Sequence, residues 1–228
     1  MENFDLRHKA FKTVVMTFVN LVNLPVVRFW YGLRLKRMVK RTAPGCVRIH
    51  FACGKRPFAG WINIDYVPYS PGPDVLLDLR RPLPLPDNTV DLMYSEDFIE
   101  HVGLAHGRRI LREWYRLLRP GGVLRLLTPN LRVLATKYVE RSPGFLEWYG
   151  HHWGTGSFAE ILNHGMRSWG HLFLYDDDLL TRELVAVGFS PQMRSHNQSD
   201  NPLLRGLDRP DDQEAEYRMY FDCIKPNM

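Results

Sequence analysis

The 228-residue sequence has only three cysteines, and none stands in a C-x-x-C pair. Cys46, Cys53 and Cys223 are too widely spaced for a disulfide framework or a cysteine zinc module, and such sparse usage fits a reducing compartment. Long hydrophobic runs are also missing. The most apolar stretch, residues 11–27, is broken by Asn20, Asn23 and Pro25, well short of the ~20 apolar residues of a membrane-spanning helix. The first residues include Glu2 and Asp5, and no small-residue cleavage site follows, so no signal peptide is expected. No internal repeat occurs. The dinucleotide fingerprint G-x-G-x-x-G is absent as well, which argues against a nicotinamide cofactor.

What remains is an ordinary globular composition, 45% hydrophobic and 24% charged, in a chain long enough to bury roughly 70% of its unfolded surface. The length predicts one domain with an appendage. The net charge of +5 is unevenly distributed: residues 1–45 hold nine Lys/Arg against Glu2 and Asp5, and residues 46–228 hold 21 basic groups against 23 acidic ones. The sequence therefore describes a slightly acidic body with a basic N-terminal arm, a statement about partners more than fold. In the arm, Phe11, Val14, Val15, Phe18, Leu21 and Val22 recur at helical spacing up to Pro25. From Val26 to Arg41, Phe29, Trp30, Leu33 and Met38 mix with six cations. Two compatible readings follow: a helical cover on the body, or peripheral contact of residues 11–41 with an anionic membrane surface.

From residue 46, short apolar runs alternate with amphipathic stretches. Cys46–Ala52, Trp61–Asp65, Asp74–Asp78, Val90–Ser95 and Gly122–Thr128 read as strands. Arg108–Leu118 reads as a helix stopped by Pro120-Gly121-Gly122, and Asp176–Val187 as another, closed by Gly188. Ser190–His196 and Tyr217–Lys225 read as closing strands, with Asn197–Glu216 as an exposed loop between them. The alternation predicts a mostly parallel sheet covered on both faces. In such sheets ligands bind beyond the carboxyl ends of the strands, which here are Ala52-Cys53-Gly54, Asp65, Asp78, Ser95-Glu96-Asp97 and Thr128-Pro129-Asn130. The small-residue turn after the first strand admits close approach of a ligand. Asp65, at the end of the second, suits the two hydroxyls of a ribose.

The stretch FACGKRPFAGWINID, continued by DVLLDLRRPLPLPDNTVDLMYSEDFIEHV and LREWYRLLRPGGVLRLLTPNL, resembles class I S-adenosylmethionine-dependent methyltransferases over about residues 46–187. It is most similar to a bacterial group associated with surface-polysaccharide and glycolipid biosynthesis. The resemblance implies a Rossmann-like, seven-stranded, mostly parallel sheet with helices on both faces, in a domain spanning 46–228 behind the arm. It also implies S-adenosylmethionine as cofactor, with Ala52, Cys53 and Gly54 at its methionine moiety, Asp65 on the ribose, Asp78 and Leu79 beside the adenine, and Ser95 and Glu96 completing the contacts. Two departures stand out: Ala52 replaces the usual first glycine of the turn, and Lys55-Arg56 stand where a third glycine could be. The connection from Ala52 to Trp61 is also short for a helical crossover.

If a helix begins near Ser95 or Glu96, then Asp97, Glu100 and His101 lie at i, i+3 and i+4 on one face. This spacing resembles the E-x-x-E-H element of two metal-dependent O-methyltransferase groups, one acting in ubiquinone biosynthesis and one on the 3′-terminal 2′-hydroxyl of small RNAs. The resemblance extends to Thr128-Pro129-Asn130 and to Arg167–Phe173. It makes Asp97, Glu100, His101 and His171 candidate ligands of Mg2+ or another divalent cation. The competing readings are a metal-free site, with His101 or His171 as general base and Asp97 beside them, and a purely structural cluster. Phe145, Trp148, Tyr149, Trp153, Phe158, Trp169, Phe173 and Tyr175 suggest an aromatic lid inserted at about 141–175, or a small subdomain with its own core. His8, His50, His106 and His196 receive no role.

The expectation is a cytoplasmic O-methyltransferase, peripheral at the inner face of the membrane if the arm binds lipid, acting on a hydroxyl of a small-molecule or lipid-linked sugar. The alternatives are an O-methyltransferase of a quinone or other phenol, and a non-catalytic scaffold. No nucleic-acid partner is expected of an acidic body. A homodimer is left open.

Overall fold

The computed structural model describes residues 17–18, 20–210 and 215–227, without the side chains of Trp148, His152 and Trp153. The expected helix over Phe11, Val14 and Val15, His8, and those three side chains therefore lie outside the described residues. Helix α1 spans Pro25–Thr42. Then follow β1 (Arg48–Phe51), β2 (Ile62–Asp65), β3 (Val75–Leu76), β4 (Val90–Glu96), a 3-10 turn (Ile99–His101), α2 (Leu104–Leu117) and β5 (Leu118–Pro129). Helices α3 (Leu131–Val139), α4 (Pro143–Trp153) and α5 (Phe158–Arg167) lead through a 3-10 turn, Ser168–Gly170, to α6 (Asp177–Val187), β6 (Ser190–Arg194) and β7 (Arg218–Ile224).

The seven strands form one sheet in the order β3-β2-β1-β4-β5-β7-β6. Only β7 runs against its neighbours, pairing antiparallel with β5 and β6. This is the Rossmann-like class I methyltransferase architecture expected from the sequence. Side chains alternate across each strand. Ile49, Phe51, Met93, Leu124, Leu126 and Phe221 join one continuous core with Leu35 and Val39 of α1, Ile110, Leu111, Trp114 and Leu117 of α2, and Leu180 and Leu184 of α6.

The residues between them differ in character. His50, Tyr94, Arg125, Tyr220 and Asp222 are buried beneath irregular chain from the β1–β2 connection and from residues 195–210. Arg125 is the anchor: it donates to Asp208 (2.5 and 3.1 Å), to Asp222 (3.1 Å) and to the carbonyls of Ser195 and Gln198. Where it is described, Asn197–Glu216 is the mostly exposed loop its polarity predicts, but Ser199, Leu204 and Asp208 are buried and anchor it to the body. One of the acidic residues that made it read as solvent-facing, Asp208, neutralises Arg125 together with Asp222 of β7.

Three expectations are corrected. Pro120-Gly121-Gly122 does not end the helix, because Leu118 is already extended and pairs with Val90. The turn is looped out inside β5, between Leu118 and Val123, which pair with Val90 and Leu92 of β4. A Cβ on Gly122 would sit 2.8 Å from the Asp91 carbonyl, so only glycine fits there. No helix starts at Ser95 or Glu96 either. Strand β4 runs through Glu96, and Asp97 adopts φ 49° before the 3-10 turn begins. Strands β1, β3 and β6 are shorter than their apolar runs predict, β3 being only Val75–Leu76.

The aromatic segment divides. Phe145, Tyr149, Ile161, Leu134, Leu174 and Tyr217 form a second apolar cluster, with Phe158 against it. Tyr175 belongs to the main core, where its hydroxyl stands 2.3 Å from any Cβ placed on Gly107. Trp169, half exposed, remains at the surface.

Candidate active site

Strand β1 leaves the sheet through two left-handed residues, Ala52 (φ 53°) and Gly54 (φ 55°). Alanine tolerates this region poorly, so the turn must be over-determined by its surroundings, and Asp65 does so. Its Oδ2 accepts from the Gly54 amide (2.9 Å), and its Oδ1 accepts from Tyr66 (2.7 Å) and Val67 (3.1 Å). One carboxylate at the end of β2 thereby shapes the turn at the end of β1. Burial raises its pKa, and the three amides oppose that rise. The Cys53 thiol is pushed up to about 12 by burial and by Asp65, which keeps it protonated.

A cavity of about 560 Å³ opens at this edge. It brings together Ala52, Cys53, Gly54, Asp65 and Glu96 from the expected cofactor set. His50, Lys55, Arg56, Tyr66, Tyr69 and Arg209 complete much of its wall. Glu96 accepts from Arg56 (2.7 Å) and from the Tyr94 hydroxyl (3.2 Å). Arg56 also donates to the Leu207 carbonyl, which ties the 195–210 segment over the cavity.

Three members of that set lie elsewhere. Ser95 is fully buried, and its hydroxyl has no hydrogen-bond partner. Asp78 is gripped by both arms of Arg80 (2.8 Å each) and by Asn23 (2.9 Å). Burial raises its pKa, but those hydrogen bonds outweigh it and hold the carboxyl below its ordinary range. Leu79 is packed in the main core.

A second cavity of about 340 Å³ adjoins the first, and the two share Asp97, His101, Trp169 and Arg209. Glu100 is completely buried; its Oε2 accepts from Thr128 (2.9 Å), while Oε1 has no partner. Burial, and then the charge of Asp97, push its pKa well above the carboxylate range. The Glu100 carbonyl accepts from the amides of Leu172 (2.8 Å) and Phe173 (3.1 Å), which carries His171 alongside. His171 donates from Nδ1 to the Gly165 carbonyl (2.7 Å), so its Nε2 presents a lone pair. The His101 and His171 rings meet edge to face, centroids 5.0 Å apart. Burial lowers the pKa of both, that of His101 to about 4, so both imidazoles are neutral at neutral pH.

One ligand atom each from Glu100, His101 and His171 lies within 4.8 Å of the others. An unpartnered buried carboxyl oxygen beside two neutral imidazoles is a donor set that fits a divalent cation, whose binding would displace the Glu100 proton. Asp97 stands apart from this trio, because its left-handed backbone turns it toward two arginines. It pairs with Arg218 (3.2 Å) and Arg209 (3.1 Å). Sequence reasoning missed both arginines and His50. Lys55 and Arg56 drew notice only as departures from a glycine pattern. Arg209, in a polar segment, carries no periodic signal at all.

Residues 68–126 match the family model for a methyltransferase domain. Among solved structures, the chain is similar to an S-adenosylmethionine-dependent methyltransferase from Archaeoglobus fulgidus, with 16% identity over 86% of this chain and 94% of that one and a TM-score of 0.47. A second, from Thermotoga maritima, shows 17% identity over 98% and 97%, with a TM-score of 0.48. A third, from Mesorhizobium loti, shows 16% identity over 82% and 95%, with a TM-score of 0.46. No curated protein matches significantly. The sheet is that of the class I methyltransferase fold, and residues 68–126 within it match a methyltransferase domain.

Proposed function

We propose that this methyltransferase methylates a hydroxyl of a sugar in a glycan, glycolipid or glycosylated metabolite. The observation that carries the reading is the Glu100–His101–His171 group, set in the smaller cavity where it meets the cofactor cavity. S-adenosylmethionine, when bound, supplies an electrophilic methyl group whose sulfur leaves as a neutral thioether.

The chain must then orient a hydroxyl oxygen in line with that methyl and take up its proton. A neutral imidazole is the right acceptor, since an imidazolium would hold its proton. His171 suits the task because the Gly165 carbonyl fixes its tautomer. His101, at the junction of the cavities, orients the hydroxyl or shares the proton. Positioning accounts for much of the rate in such a displacement. A divalent cation would be held by Glu100, His101 and His171, with Asp97 nearby, and would lower the hydroxyl pKa as a Lewis acid.

Two features favour a sugar over a quinone or phenol. The cavity is lined by Asp97, Arg209 and Arg218 as well as the trio, groups that hydrogen-bond hydroxyls. Trp169 offers a half-exposed ring at its mouth for stacking on a sugar face. Titration calorimetry should show S-adenosylmethionine or S-adenosylhomocysteine binding; its absence overturns the reading. Transfer of labelled methyl to sugar acceptors, compared with phenols, tests the acceptor class.

A further inference from the structure

Helix α1 and the adjoining body form a surface that shares no lining residue with either cavity. Helix α1 seats Gly32, Leu35 and Val39 against the sheet, with Gly32 close against Pro84. Arg28 donates to the Pro82 carbonyl (2.6 Å), which locks the start of the helix beside the body. At 100° per residue the opposite side carries Val26, Phe29 and Trp30 in its first turns and Arg37, Lys40 and Arg41 in its last. Val26, Phe29 and Trp30 are 60%, 60% and 59% exposed, and Leu21 and Leu24 just before them are also exposed. Five of the exposed large hydrophobic residues thus fall within ten positions. No acidic residue occurs between Thr17 and Thr42.

Beside Arg28 lies a groove of about 620 Å³, lined by Arg80 and Arg81 from the chain after β3 and by Arg109, Arg112 and Arg116 from α2. Their needs differ. Arg80 is paired with Asp78, and Arg116 with Glu113 and Asp87. Arg81, Arg109 and Arg112 are exposed and form no ion pair among the described residues. Three exposed guanidinium groups without an ion-pair partner among the described residues thus line the groove that Arg28 joins to the start of α1.

We propose that this face docks the enzyme on a bilayer containing anionic phospholipid. Phe29 and Trp30 enter the headgroup boundary, while Arg81, Arg109 and Arg112 take lipid phosphates and the cations at the end of α1 face the charged plane. Among the described residues no helix is long and apolar enough to cross a membrane, so the contact is in-plane. A single-stranded nucleic acid would use the cations but gain little from Val26, Leu21 and Leu24, whereas a bilayer uses both. The surface is separate from the methyl-transfer site, so failure of this proposal leaves that reading standing, and the reverse also holds.

The test is co-sedimentation of the full chain with vesicles of phosphatidylcholine alone and of phosphatidylcholine with phosphatidylglycerol in equal parts. Binding is expected only to the anionic vesicles. The combined substitution Arg81→Glu, Arg109→Glu and Arg112→Glu should weaken it by roughly a hundredfold, at about tenfold or less per cation. Phe29→Ser with Trp30→Ser should weaken it by roughly tenfold or more. Should the triple variant misfold, fluorescence of the unaltered chain with brominated acyl chains decides: quenching should occur and vanish in Trp30→Phe. Equal binding to neutral vesicles, absence of quenching, or insensitivity to both sets of substitutions overturns the proposal. So does binding to an RNA oligonucleotide as tight as to the vesicles, or full displacement by inorganic phosphate.

Discussion

The two covers of the sheet are built from different materials. Beneath α1, α2 and α6 the buried residues are almost wholly apolar, led by Leu35, Ile49, Phe51, Leu111 and Trp114. Beneath the irregular segments they include His50, Asn63, Arg125, Asp208 and Asp222. Apolar burial is non-directional and tolerates repacking. A buried ion group tolerates neither loss of a partner nor displacement. The polar side is therefore the stiffer specification, and it adjoins the larger cavity through Arg56, Leu207 and Arg209. Irregular chain can hold a precise site here because charge, rather than helix packing, pins it.

Several substitutions would break or sharpen that contrast. The largest effect is on chemistry: His171→Ala should lower methyl-transfer turnover by roughly a hundred- to ten-thousandfold with little change in melting temperature. If a chelator produces a comparable loss in the unaltered enzyme, His171 acts as a ligand; if it does not, as a base. A normal rate in both cases removes the site.

Next come the two covers themselves. Arg125→Met strands Asp208 and Asp222 without a counter-charge and should cost about 3–5 kcal/mol in denaturant unfolding. It should also weaken S-adenosylhomocysteine binding, because the 195–210 segment loses its anchor. Leu111→Ala, on the helical side, should cost about 2–5 kcal/mol and leave cofactor affinity intact. If both variants bind cofactor alike, the polar cover does not support the site.

His50 supplies a smaller, pH-dependent effect. Burial, and then the charge of Arg56, lower its pKa from 6.5 to about 3, and its ring stacks on Phe58 at 4.1 Å. The unfolded chain binds this proton more readily than the folded one. Its contribution is nil above about pH 7, and stability falls as the pH drops from about 6.5 toward about 3, by roughly 2 kcal/mol at pH 5. His50→Phe should flatten that part of the pH–stability curve. The smallest effect is at a helix end. Asp176 caps α6 by accepting from the Leu179 amide (2.8 Å), and Asp176→Ala should cost about 1 kcal/mol, with no change in cofactor binding or pH profile.

The legibility of the two covers in the sequence differs in the same way. Ile49-His50-Phe51, the run from Ile110 to Leu117, and Asp176–Gly188 announce their elements through periodicity and capping. Asp65 was placed by its position at a strand end, and the Gly54 turn by its small residues. Glu100 and His101 stand out on a helical spacing that does not exist, and His171 through the resemblance at Arg167–Phe173. They nevertheless come together, because the 3-10 turn and the Glu100 carbonyl bring His171 to the same place. Asp97 failed that reasoning: one positive φ turns it out of the trio. Nothing local marks Arg209, Arg218 or Asp208, whose partners lie between 83 and 121 residues away in the chain.

Strand–helix alternation, the chemistry at the ends of β1 and β2, and the uneven charge between arm and body follow from the sequence alone. Each depends on neighbours a few residues apart or on simple counts. Which acids neutralise which arginines, which histidines face one another, and which cations on the outer surface stay unpaired were decided only by the tertiary structure. The reason is physical. A residue's hydrophobic period is carried by its neighbours in the chain, whereas its electrostatic partner is whatever the fold sets beside it in space.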